Sequence, residues 1–167
     1  NFFYILYFQE VGPAERELEA DTHRAMRMIL WGGTGGAFPT EAPAPRPAKG
    51  TGFLDMFSEP PSPLPAWLTE TDIQTYADAF AKSGFFGPVS WYRNFDRNFE
   101  SGTDLDPAVL TMPSFFIGGE KDGVIANRAT LGAMDALPNF KGMVLIPESG
   151  HWTQQETPDE FNAALLG

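Results

Sequence analysis

Over residues 13–31 the apolar positions Leu18, Ala25, Met26, Ile29 and Leu30 recur at offsets of 7, 8, 11 and 12 from the first of them. Those offsets fall close to whole turns of a 3.6-residue helix, so the five side chains share one stripe and predict a single amphipathic helix. A second helix is bounded at both ends by local chemistry. Thr69 stands as its N-cap with Asp72 three residues on, Ile73, Tyr76, Ala77 and Phe80 follow at helical spacing, and Gly84 ends the run. Pro88 opens a third helix, on which Tyr92, Phe95 and Phe99 share its face at steps of 4, 3 and 4. Between the first two helices lie "GGTGGAFPTEAPAPRPAKGTG" and "EPPSPLP". Pro lacks a backbone donor and Gly resists a fixed conformation, so residues 32–66 are expected to make an excursion over the surface, a spacer rather than a site.

Beyond residue 106 the pattern changes. "TMPSFFIGG" is a short apolar run ended by two glycines, "ANRATLGAMDAL" is helix-like, "KGMVLIP" is a second apolar run, and "PDEFNAALL" is a final helix. The strands are centred on residues 114–117 and 143–146 and show little polar alternation, as in a parallel sheet covered on both faces. The fold class is therefore α/β, with a helical region over residues 1–105 and a strand–helix–strand–helix region over 106–167. Ligands of such sheets gather at the carboxyl ends of the strands. "GGEKDGVI" follows the first strand and "PESGHW" the second, which places Asp122 and His151 on one edge.

Composition narrows the classes. At 43% hydrophobic and 14% aromatic residues the chain is too apolar for a disordered protein. Its 22 acidic and 11 basic residues give a formal charge of -11, with no basic cluster, which argues against a nucleic-acid partner. Without Cys there is no disulfide, thiolate nucleophile or Cys-bound zinc, and two distant histidines argue against a metal site. The Gly-rich start of the excursion lacks the Gly-Lys-Ser/Thr ending of a phosphate loop. No apolar run approaches the roughly 20 residues of a membrane span, so a soluble, cytoplasmic protein is expected. The chain opens in "NFFYILYFQE" and stops in "EFNAALLG", partway along an apolar helix face, so it is expected to be a fragment.

Alone, "EKDG" is a turn signal and His151 a loop residue. Together, Asp followed one strand–helix–strand unit later by His is the order of the last two members of an α/β-hydrolase triad. A carboxylate on one imidazole nitrogen fixes the tautomer and stabilises the imidazolium, leaving the other nitrogen to take a proton from water.

Three longer stretches, "YILYFQEVGPAEREL", "FAKSGFFGPVSWYRNF" and "SGHWTQQETP", resemble soluble epoxide hydrolases of the α/β-hydrolase fold. The resemblance runs through nearly the whole chain and is weakest in the Pro-rich excursion. It implies a helical cap followed by the last two strands and helices of the core sheet. It also implies an Asp nucleophile that attacks an epoxide carbon, two cap tyrosines that hydrogen-bond the epoxide oxygen, and a His/Asp pair that activates water to release a 1,2-diol. By match to the family motifs the tyrosines are Tyr4 and Tyr92, with Tyr7 set aside, the acid is Asp122 and the base His151. Phe8, Ile29, Val124, Ile125 and Trp152 match pocket-wall positions, and an apolar wall suits an epoxide with a hydrophobic substituent. Arg93 is expected to be a salt-bridge partner and His23 a solvated surface residue.

No cofactor is implied. The family's nucleophile and oxyanion motif lie upstream of the cap, and nothing in this chain corresponds to them. The expected partners are therefore the missing N-terminal half, the epoxide and water, with a homodimer possible. Two alternatives stay open. A haloalkane or haloacid dehalogenase also forms an ester on Asp, although paired tyrosines suit a departing alkoxide better than a halide. A non-catalytic ligand binder on the same scaffold would lack a carboxylate at the nucleophile position.

Overall fold

Helices fill one part of the computed structural model and a parallel strand pair the other; residues 3–35, 37, 51–102, 110–125 and 131–167 are described. The chain divides into two units, Asn1–Gly32 with Pro39–Ser101, and Gly33–Phe38 with Gly102–Gly167. The boundary expected between residues 105 and 106 lies outside the described residues, as does much of the excursion.

In the first unit a single turn, α1 (Tyr4–Tyr7), is followed by α2 (Pro13–Ala20) and α3 (Thr22–Gly32). The one helix expected over residues 13–31 is therefore two. Asp21 leaves helical geometry at φ -150°, ψ 89°, and its Oδ1 accepts a hydrogen bond from the Arg24 N–H at 2.9 Å. A short carboxylate that can satisfy a free helical N–H competes with the continuing helix, so Asp21 caps α3 instead of extending α2. The stripe survives the break: Leu18, Ala25, Met26 and Leu30 are buried, and Ile29 is half-buried.

α4 (Glu70–Ser83) begins and ends where expected. Thr69 Oγ1 accepts from the Asp72 N–H, and Asp72 Oδ2 accepts from the Thr69 N–H at 2.8 Å, a reciprocal cap. Gly84 closes the helix at φ 68°, ψ -179°, a conformation that side chains resist. Ile73 and Ala77 are buried, and α4 packs chiefly on α3. The third expected helix again splits, into α5 (Phe86–Arg93) and α6 (Phe95–Ser101). Pro88 lies inside the first turn of α5 rather than opening it, and Asn94, whose Nδ2 donates to the Ser90 carbonyl at 2.8 Å, stands at the break. The aromatic stripe is not a core face: Phe95 and Phe99 are 46% and 78% exposed.

In the second unit β1 (Ser114–Gly119) pairs in parallel with β2 (Phe140–Ile146), in register Ile117 with Val144 and Gly119 with Ile146. Both strands extend beyond the expected centres. Phe115 remains 50% exposed, so the covering of both faces is incomplete among the described residues. Of the helix expected between the strands, residues 126–130 lie outside the described residues, and Ala133–Ala136 form a 3-10 turn. After β2 come the short α7 (Thr153–Glu156) and α8 (Pro158–Leu166), which packs on both strands. No helix among the described residues is long and apolar enough to cross a membrane.

Candidate active site

Asp122 and His151 follow β1 and β2, and the parallel pairing brings them together: Nδ1 of His151 lies 3.0 Å from Oδ2 of Asp122. The other carboxylate oxygen of Asp122, Oδ1, accepts the Val124 N–H at 2.8 Å. The turn role and the histidine-orienting role therefore coexist, one on each oxygen. Asp122 is only 7% exposed, whereas the His151 side chain is 46% exposed. A buried acceptor holding one imidazole nitrogen fixes the tautomer when Nδ1 donates, and it leaves Nε2 as the basic nitrogen. The ion pair of Lys121 with Glu148 and the Lys121 N–H donated to the Ser149 carbonyl at 2.9 Å join the two loops beside this contact.

Residues 33–35, expected to begin a spacer, are part of this arrangement instead. The His151 N–H donates to the Gly33 carbonyl at 2.8 Å. A Cβ on Gly150 would stand 2.2 Å from the Gly35 nitrogen, and one on Gly119 would stand 2.2 Å from the Gly150 carbonyl oxygen, so these backbones touch where only glycine fits. The doubled glycines were the available signal, and their meaning depended on a neighbour more than a hundred residues away in the chain.

In the helical unit Tyr4 and Tyr92 meet edge to face, ring centroids 5.6 Å apart, and both rings contact Phe8. Burial first, and then the neighbouring Tyr4, push the Tyr92 phenol above its ordinary pKa, so it stays protonated and able to donate. Among the described residues neither hydroxyl is committed to a hydrogen bond. Tyr7 differs: its hydroxyl donates to Glu17 at 2.8 Å, and burial with this contact raises its pKa well above the usual phenol.

Arg93 brings the two tyrosines into reach. It pairs with Glu15 at 2.6 Å, with both side chains about nine-tenths buried, and donates from Nε to the Phe8 carbonyl at 2.8 Å and from Nη2 to that of Glu10 at 3.0 Å. One guanidinium thus ties the segment after Tyr4 to the residue after Tyr92, as a planar fork of donors allows. The hydrogen bond from Arg93, ahead of the burial that opposes it, holds the Glu15 carboxyl down at about 2. His23 is 42% exposed and 4.0 Å from Glu70.

Of the residues expected to line a pocket, Phe8 and Ile29 belong to the first unit and Val124, Ile125 and Trp152 to the second. Phe8 is buried against Tyr4, Tyr92 and Phe53, whereas Ile29 is half-buried on α3. Val124 is 58% exposed, Ile125 lies over Gly118, and the Trp152 indole meets the His151 ring at 4.9 Å and packs on Gly33. Among the described residues no cluster of His, Cys, Asp and Glu is arranged to hold a metal ion.

Known proteins resemble this chain in both sequence and fold. The chain is 42% identical over 171 residues to Epoxide hydrolase A of Mycobacterium tuberculosis, a match covering 99% of this chain and 51% of that protein. The crystal structure of Epoxide Hydrolase A from Mycobacterium thermoresistibile superposes with a TM-score of 0.84 at 40% identity, covering 99% of this chain and 51% of that one. An epoxide hydrolase from an endophytic Streptomyces gives 0.85 at 39% identity, over 98% and 50%. The chain spans about half the length of these relatives. No family model matches it. The expected fold class is borne out, and the chain belongs to the epoxide hydrolases of the α/β-hydrolase fold.

Proposed function

We propose that the protein to which this chain contributes opens an epoxide with water to a 1,2-diol. The observation that carries this reading is the pair of phenols, Tyr4 and Tyr92, uncommitted among the described residues and edge to face at 5.6 Å in a chain so similar to named epoxide hydrolases. Two phenols sharing one oxygen are what a departing alkoxide requires. A phenol with a pKa of about 10 donates readily to an alkoxide, whose conjugate alcohol is a far weaker acid.

In this mechanism an Asp from outside these residues attacks an epoxide carbon, the C–O bond breaks, and the ring oxygen takes a proton from Tyr4 or Tyr92. The product is an alkyl ester on that Asp. His151 Nε2 then removes a proton from water as the water oxygen attacks the ester carbonyl, while Asp122 stabilises the imidazolium through Nδ1. Collapse of the tetrahedral intermediate breaks the bond to the diol oxygen, which takes the proton held by the imidazolium, and the second water proton passes from the new carboxyl group back to the tyrosinate, regenerating carboxylate, imidazole and phenol. Phe8, Ile29, Val124, Ile125 and Trp152 supply apolar surface for a hydrophobic substituent.

The test is His151→Gln in the full-length protein. Removing the base spares alkylation and slows ester hydrolysis, so mass spectrometry after brief exposure to styrene oxide is expected to show a protein-plus-substrate adduct. Turnover at the wild-type rate would remove His151 from the mechanism.

A further inference from the structure

We propose that Glu156 is the positioning residue for His151, its carboxylate clamping the backbone on both sides of the imidazole; the inference rests on the hydrolytic role of His151 above. Oε2 of Glu156 accepts the Gly150 N–H at 3.1 Å and the Gly35 N–H at 3.0 Å, while Oε1 accepts the Trp152 N–H at 3.1 Å. The His151 N–H between them goes to the Gly33 carbonyl at 2.8 Å. Three consecutive backbone donors are thus held from two directions, and the same carboxylate reaches the 33–35 segment that takes the middle one.

The geometry of α7 makes this possible. Glu156 is four residues after Trp152, one helical turn on, and its N–H and that of Gln155 both donate to the Trp152 carbonyl at 2.8 Å. Thr153 Oγ1 donates to the Gly150 carbonyl at 2.9 Å, so the turn closes on the loop it follows. A carboxylate is suited to the position because each oxygen only accepts, and all three groups facing it are donors.

A half-exposed imidazole has little else to fix it. Among the described residues its one polar side-chain contact is Asp122 at 3.0 Å, and it meets the Trp152 ring at 4.9 Å. The position of its Cα therefore decides whether Nδ1 reaches Asp122, and the clamp sets that position. A displacement of ~1 Å at a proton-transfer group can cost on the order of 10²-fold in rate.

Glu156→Gln tests this in the full-length enzyme. The amide keeps one acceptor and turns a donor toward N–H groups, so either Trp152 or the pair Gly35 and Gly150 loses its partner. Single-turnover kinetics with styrene oxide separate the two half-reactions. Ester hydrolysis is expected to slow about 10-fold or more, while alkylation stays within about 2-fold of wild type. The Nδ1 proton resonance of His151, assigned by its absence in His151→Gln, is expected to broaden as its bond to Asp122 loosens. Equal rates in both steps, or both falling together with thermal stability, would overturn the proposal and leave Glu156 a structural residue. Should the Gln variant not fold, Glu156→Asp, which keeps the charge but shortens the reach by one methylene, is read in the same way. If the wild-type protein makes no diol, the hydrolase reading fails separately, and the resonance alone decides the clamp: broadening supports it and an unchanged signal refutes it.

Discussion

Two phenols three residues apart have opposite surroundings. Tyr7 donates to Glu17, whereas Tyr4 lies against Tyr92 with its hydroxyl uncommitted among the described residues. Each single change, Tyr4→Phe or Tyr92→Phe, is expected to slow epoxide alkylation in the full-length enzyme, and the double variant to lose about 10²-fold or more, because donors to a developing oxyanion are worth that much. Stopped-flow alkylation rates check it. Since burial and Tyr4 raise the Tyr92 pKa, its proton is retained past the ordinary phenol value of about 10, and the alkylation rate is expected to hold level up to that pH. The Glu15–Arg93 pair carries a different pH signature. A carboxyl lowered from 4.5 to about 2 contributes stability that is fully present above pH 4.5 and is lost as pH falls through 2. Thermal melts of wild type and Glu15→Gln are therefore expected to converge over that window. Arg93→Met, which strands the buried carboxylate, is expected to cost roughly 3–5 kcal/mol by urea denaturation.

At the scale of elements, local chemistry decided where helices begin and end. Thr69, Asp72 and Gly84 bound α4 as their residue types predicted, because a cap is satisfied by neighbours three residues away. Thr69→Ala is expected to destabilise the helical unit by about 1 kcal/mol in urea denaturation, the usual worth of an N-cap. The same chemistry explains the break at Asp21. Apolar periodicity persists across a one-residue interruption, so the stripe over residues 13–31 predicted one helix while Asp21 was already capping the next.

On the scale of the whole molecule, the chain spans about half the length of its relatives. The proposed mechanism takes its nucleophile from outside these residues. Expressed by themselves, the 167 residues are therefore expected to form no diol from styrene oxide, whereas the full-length protein is expected to form it. Gas chromatography of the diol distinguishes the two. Turnover by the shorter chain would mean that a carboxylate within it serves as nucleophile.

The amino-acid sequence by itself determined the capped helix α4, the two apolar strands and the edge on which Asp122 and His151 emerge. Each depends on a short-range rule: a cap three residues away, an apolar run, or the loops that follow parallel strands. Motif likeness, not spacing, singled out Tyr4 over Tyr7, and Arg93, expected to be a salt-bridge partner, pairs with Glu15. Only the tertiary structure decided the roles of Gly33, Gly35 and Glu156. Gly33 and Gly35 lie against residues 148–152 and Glu156 accepts from Gly35, Gly150 and Trp152; a glycine beside a distant backbone, or a glutamate aimed at three N–H groups, leaves no periodic trace in the chain. Close approach and hydrogen-bond direction are properties of the folded chain, fixed when segments far apart in sequence pack together.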